Sequence, residues 1–67
     1  MNWDLVQYKW KELKDKAKEK WGELTNDDLE VIEGNRDQLV VLIQNRYGKA
    51  KEEAEKEVED GKKVFNP

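Results

Sequence analysis

Chemistry at a protein site begins with a nucleophile, a proton donor or acceptor of tuned strength, or a metal. This chain carries few of the side chains that fill those roles. Its 67 residues include no histidine, no cysteine and no serine, and Thr25 is the one hydroxyl of the serine–threonine type. Thr25 stands three residues before Asp28, the spacing of a helix N-cap and its reciprocal partner, and that role accounts for it fully. The carboxylate pairs Asp27/Asp28 and Glu52/Glu53 are sequence neighbours. Neighbours on a helix diverge by about 100°, so neither pair converges as a general acid and base must. A calcium loop needs oxygen ligands at alternate positions around a central glycine, and Thr25-Asn26-Asp27-Asp28 is too compact for that. Each of the four glycines stands alone, so no phosphate-cradling loop is present. The expectation is a protein that is not an enzyme and takes no metal, cofactor or small-molecule substrate.

Two binding chemistries need a separate test. Residues 9–20 hold six lysines against Glu12, Asp15 and Glu19, with Trp10 among them and Trp21 adjoining. Lysines interleaved with aromatic rings suit a single-stranded nucleic acid. Both tryptophans, however, fall on the apolar stripe described below, and a buried ring cannot stack on a base. The net charge of −3 also opposes a polyanion. No nucleic-acid partner is expected. No apolar run is long enough to span a bilayer, and no charged-then-apolar leader is visible, so no membrane partner is expected either. The absence of cysteine suits a reducing compartment, and the expected location is the cytoplasm. Residues 23–37 reverse the charge, with six acids against Arg36 alone.

The elements that would position any surface are legible from periodicity and capping. Val6, Trp10, Leu13, Ala17 and Trp21 recur at helical spacing, and Trp3 falls on the same stripe, which predicts a helix from about Asp4 to Trp21 ended by a left-handed Gly22. Thr25 and Asp28 approximate a capping box for a short second helix, Leu24 and Leu29 sit where a hydrophobic staple would clamp its entry, and Gly34 ends it. Asn35 caps a third helix with Gln38 at its third position; Leu39, Val40, Ile43 and Tyr47 share its inner face, and Gly48 stops it. Ala50, Ala54 and Val58 make a narrow stripe on a fourth helix, from about Lys49 to Asp60, ended by Gly61. Phe65 in the tail Val64-Phe65-Asn66-Pro67 is placed to fold back. No strand-like alternation competes. The predicted fold is all-α, a single small domain over residues 1–67 built from four short helices. At 36% hydrophobic residues the core is marginal for this length, and three tryptophans must supply much of its area.

The ordered pieces Asn2-Trp3-Asp4, Lys9-Trp10-Lys11, Lys20-Trp21-Gly22, Leu24-Thr25 with Asp27-Asp28, Gly34 with Arg36-Asp37-Gln38-Leu39-Val40, Ile43-Gln44 with Arg46-Tyr47-Gly48, and Ala54-Glu55-Lys56 resemble the CsbD-like family of small bacterial stress-response proteins. The likeness spans roughly residues 1–60. It implies two helical hairpins packed crosswise, a cytoplasmic location, induction under general stress and no enzyme activity. The family pattern names no functional residues to carry over.

The departures from that pattern cluster on apolar residues. Val41-Leu42 stands where relatives typically read Gly-Lys, Tyr8 where they often have Gly before Lys-Trp-Lys, and Asp15 where Gly is common. With Val6 at zero, Tyr8 lies about 200° around its helix and Leu5 roughly 100° off the stripe. Val41 points away from the inner face of the third helix, and Leu42 lies on its flank. Apolar side chains on outward faces mark a contact surface, and replacing helical glycines with better helix formers is a common stabilising edit. The resulting expectation is an engineered CsbD-like scaffold with a protein-interaction surface at Leu5, Tyr8, Val41 and Leu42, meeting a protein partner or a second copy as a homodimer. The alternative is a natural bacterial general stress-response protein.

Overall fold

The computed structural model of the chain describes residues 2–65, and within them the fold is all-α. Asn66 and Pro67, part of the expected tail, lie outside the described residues. The helices are α1 (Trp3–Tyr8), α2 (Trp10–Lys20), α3 (Asn26–Ile32), α4 (Arg36–Tyr47) and α5 (Lys51–Gly61), followed directly by a 3₁₀ turn, Lys62–Phe65. The expected first helix is thus two, parted at Lys9, whose backbone departs from helical geometry (φ −99°, ψ 14°). Hydrogen bonds still bridge the break, because the Lys9 N–H donates to the Leu5 carbonyl and the Leu13 N–H to the Lys9 carbonyl. The break lies beside the turn between α3 and α4. A Cβ on Gly34 would stand 3.0 Å from the Cα of Gln7 and 3.2 Å from the ring of Trp10.

Local chemistry starts three of the helices, at Thr25 and Asn35 as expected and at Asn2 in addition. Asn2 Oδ1 accepts from the Leu5 N–H, and Asn35 Oδ1 from the Gln38 N–H. At α3 both halves of the capping box form: Thr25 Oγ1 accepts from the Asp28 N–H at 3.0 Å, and Asp28 Oδ2 from the Thr25 N–H at 3.2 Å. Leu24 and Leu29, the expected staple, are both buried. Ala50 is corrected: it is the exposed N-cap of α5, with no side-chain bond, and not part of the stripe that Ala54 and Val58 bury.

The four glycines do not share one role. Gly34 and Gly48 take positive φ (78° and 63°) at the ends of α3 and α4, and Glu33 precedes Gly34 in the same left-handed region (φ 50°). Gly22 does not adopt that conformation, and a Cβ there would meet nothing within 4 Å. Gly61 does not stop α5; it is the last residue of that helix and is buried. A Cβ on it would overlap Cη2 and Cζ2 of Trp21. Its smallness is a packing requirement, set by an indole forty positions earlier in the chain.

Every helix contributes to one core. Val6, Trp10, Leu13, Ala17 and Trp21 are buried, as the stripe requires, together with Leu39, Val40 and Ile43 from α4 and Ala54 and Val58 from α5. Phe65 does fold back. Its ring stands edge-on to Trp3 and Trp10, with centroids 6.3 and 6.0 Å away, the geometry favoured by aromatic quadrupoles. The most extensive helix pairing is α4 with α5; α2 packs on α3 and on the 3₁₀ turn. One polar tie is buried and the others lie nearer the surface. Trp10 Nε1 donates to the Leu29 carbonyl at 2.6 Å, and Trp21 Nε1 to Glu57 Oε1 at 3.3 Å. Arg36 binds Glu59 at 2.6 Å, joining α4 to α5. Arg46 grips Asp28 with two bonds of 3.0 and 2.9 Å, joining α4 to α3.

Two predictions follow from these contacts. Gly61→Ala forces the Trp21 ring out of its seat and destabilises by roughly 1–3 kcal/mol, the usual range for overpacking, or about 4–8 °C in Tm for each kcal/mol. Gly22→Ala, in open space and without a left-handed backbone, is neutral or slightly stabilising. Thermal melts of the two variants check the contrast. The second concerns acid. The bonds from Arg46, with the Thr25 N–H next, lower the Asp28 carboxyl from 3.8 to about 2. A carboxyl whose folded pKa is depressed contributes stability that is complete above its unfolded value and is lost as pH falls through the folded one. The Asp28 contribution therefore disappears between pH 3.8 and about 2. Urea titrations at a series of pH values should show stability falling in that window, and Arg46→Met should flatten the fall.

Candidate interaction surface

α3 and α4 meet along their inner faces, and their outer faces leave a groove between them. Helical geometry explains why it is apolar. On α3, Leu29 and Ile32 face the core, so Val31, about 200° from Leu29, faces water. On α4, Leu39, Val40 and Ile43 face the core, so Val41 is turned out and Leu42 lies at the boundary. Val31 is 73% exposed and Val41 54%; Leu42 is half-buried against the core. With Ile32 they form the apolar lining of an open groove of about 420 Å³.

Its edges are polar. Asp28 and Asp37 supply carboxylates, and Gln38 and Asn45 supply amides. Asp28 is occupied by Arg46 and the capping box. Asp37 is almost fully exposed, and Arg36 approaches it at 3.4 Å while keeping its shorter bond for Glu59.

The four residues expected to form one surface divide into two places. Val41 and Leu42 line the groove; Leu5 and Tyr8, on α1, do not. Tyr8 is nevertheless the most exposed of the large apolar side chains, at 86%, and Leu5 stands at 39%. Val31 was absent from the expected set. Its spacing carries the signal, since the rotation about a helix axis that turns Val41 outward on α4 turns Val31 outward on α3.

The titratable groups show what the polar chemistry is used for. Glu59 is held below the ordinary glutamate range by the hydrogen bond from Arg36. Burial alone would raise the Glu57 carboxyl, but the bond and charge of Lys49, the charge of Lys20 and the Trp21 indole together bring it down. With Asp28, three carboxyls among the described residues are shifted, all toward the ionised form by structural partners. A general acid working near neutral pH needs the opposite shift. Among the described residues, no group of three or more histidine, cysteine, aspartate or glutamate side chains is placed to hold a metal ion. No described helix is long and apolar enough to cross a membrane.

Comparison with known proteins gives this scaffold relatives. A UPF0337 protein of Pectobacterium atrosepticum is 66% identical over 58 residues, covering 87% of this chain and 84% of the relative. The UPF0337 protein YjbJ of Escherichia coli K12 is 58% identical over 60 residues, covering 90% and 87%. A UPF0337 protein of Bordetella pertussis is 57% identical over 60 residues, covering 90% and 91%. These identities with proteins of living bacteria correct the expectation of an engineered scaffold: the outward Tyr8, Val41 and Leu42 are better read as features of a natural member. The CsbD-like pattern itself matches residues 4–56, a span that holds the first apolar stripe, the α3 capping box, the Asp28–Arg46 pair and the whole α3–α4 groove, and on that match the chain belongs to the CsbD-like family.

Proposed function

We propose that this protein is a natural, cytoplasmic member of the bacterial general stress response and that it acts stoichiometrically, by contact, without turning over a substrate. The observation that carries this reading is the use made of the ionisable groups. Among the described residues, the carboxyls with a lowered proton affinity owe it to partners that tie elements together: Asp28 to Arg46, Glu59 to Arg36, and Glu57, against the opposing effect of burial, to Lys49 in the loop before α5 and Lys20 of α2. The aliphatic floor of the groove, at Val31 and Val41, is by contrast open to solvent. The stress role rests on membership of the CsbD-like family.

The test is a titration of the protein inside cells. In a strain lacking it, expression is raised in steps from trace amounts to the natural level, and survival after osmotic and heat challenge is measured. Survival should climb in proportion to the amount present, and the natural protein should accumulate under those challenges. Full protection at trace amounts would indicate turnover and overturn the contact reading. Unchanged abundance under stress, or equal survival with and without the protein, would overturn the stress role.

A further inference from the structure

The charge around the α3–α4 groove restricts what can enter it. The floor offers Val31, Val41 and Leu42 to water, so an apolar side chain gains by entering. The charged residues of its lining are two carboxylates, Asp28 and Asp37, with no lysine or arginine beside them in the lining. Three cations nearby are engaged elsewhere, while a fourth, Lys51, shares a smaller recess with Asp37 and Val41. Arg46 is bound twice to Asp28, Lys14 reaches Glu30 at 3.4 Å, and Arg36 gives its shortest bond to Glu59. Asp37 stands at the rim almost fully exposed. An anionic lipid surface or a nucleic-acid backbone would meet like charge here. So would a second copy joined groove to groove, because each brings its own Asp37 and a net charge of −3. Complementarity of charge selects partners by repelling the wrong ones as well as by attracting the right one.

On these grounds, and building on the contact reading above, we infer that the groove docks a cationic amphipathic segment of another protein. Aliphatic side chains of that segment lie between Val31 and Val41, and a lysine or arginine beside them faces Asp37. This is the helix-in-groove mode of recognition, in which apolar anchors supply the affinity and flanking charges set the choice of partner. Leu5 and Tyr8 lie outside the docking site.

The probe is a synthetic leucine–lysine amphipathic peptide of about four helical turns, with its leucine–glutamate counterpart as control. Binding is read by calorimetry, with circular dichroism to verify that each variant is folded. The leucine–lysine peptide should bind and the leucine–glutamate peptide should not. Val31→Ser with Val41→Ser changes no charge and should weaken binding at least tenfold. Asp37→Asn should reduce its salt dependence, and Leu5→Ser with Tyr8→Ser should leave it unchanged. Undiminished binding by the Val31/Val41 variant would overturn the inference, exposing mere attraction to an acidic protein. So would binding to phosphatidylglycerol vesicles, or self-association in sedimentation that the same two substitutions abolish. If the Val31/Val41 variant still protects cells in proportion to its amount, the groove assignment fails while the contact reading stands. Full protection at trace amounts would remove the contact reading whatever the peptide does.

Discussion

Trp21 is the largest fully buried side chain in the protein, and a rigid indole in a small core needs a space shaped for it. Gly61 provides that space. The last turn of α5 crosses the six-membered ring of the indole closely enough that a single methyl group at Gly61 would occupy ring carbon positions. The same indole donates from its other edge to Glu57, one turn earlier on the same helix. Shape at one position and a hydrogen bond at the other thus hold the end of α2 against α5. Glu57 in turn gathers Lys49, from the loop before α5, and Lys20, from the end of α2. One aromatic ring therefore fixes where the last helix lies, and with it the 3₁₀ turn that places Phe65 against Trp3 and Trp10.

The remaining polar contacts act at the junctions between elements. The Trp10 indole ties α2 to the Leu29 carbonyl of α3, Arg46 ties α4 to Asp28, and Arg36 ties α4 to Glu59. Exposed ion pairs contribute little individually. Their value here lies in direction: each joins segments distant in sequence, so each favours one arrangement of short helices over others that would bury similar area. Asp28 shows the economy of the design, with one carboxylate completing a capping box and receiving a bidentate arginine. The core itself contains no buried charged or polar side chain among the described residues. Specificity among helix arrangements therefore comes from its perimeter and from the fit of its aromatic rings.

That division of labour shapes the functional reading. Asp28, Glu57 and Glu59 are pulled toward ionisation by structural partners. What the fold leaves facing outward is aliphatic surface on α3 and α4, bordered by carboxylates. Such a surface suits recognition, where apolar anchors give affinity and like-charge repulsion removes wrong partners.

Much of the architecture was legible in the chain because the deciding interactions are local. Capping by Thr25 and Asn35 involves residues three apart, the stripe from Val6 to Trp21 needs only helical spacing, and Val41 is turned outward by the same geometry that buries Val40 and Ile43. Local signals also located Gly34 and Gly48 correctly. They failed where the cause was distant. The break at Lys9 falls where α1 closes on the α3–α4 turn, a contact that no window along α1 contains. Gly61 looked like a helix stop because glycine so often is one, whereas its reason for being glycine is Trp21. The candidate surface divided in the same way. Sequence alone determined that Tyr8, Val41 and Leu42 leave the buried stripes, since exposure on a helix follows from rotation about its axis. Tertiary structure alone decided that Val41 and Leu42 join Val31 in one groove while Leu5 and Tyr8 stand apart, because which outward faces adjoin depends on how the helices pack against one another.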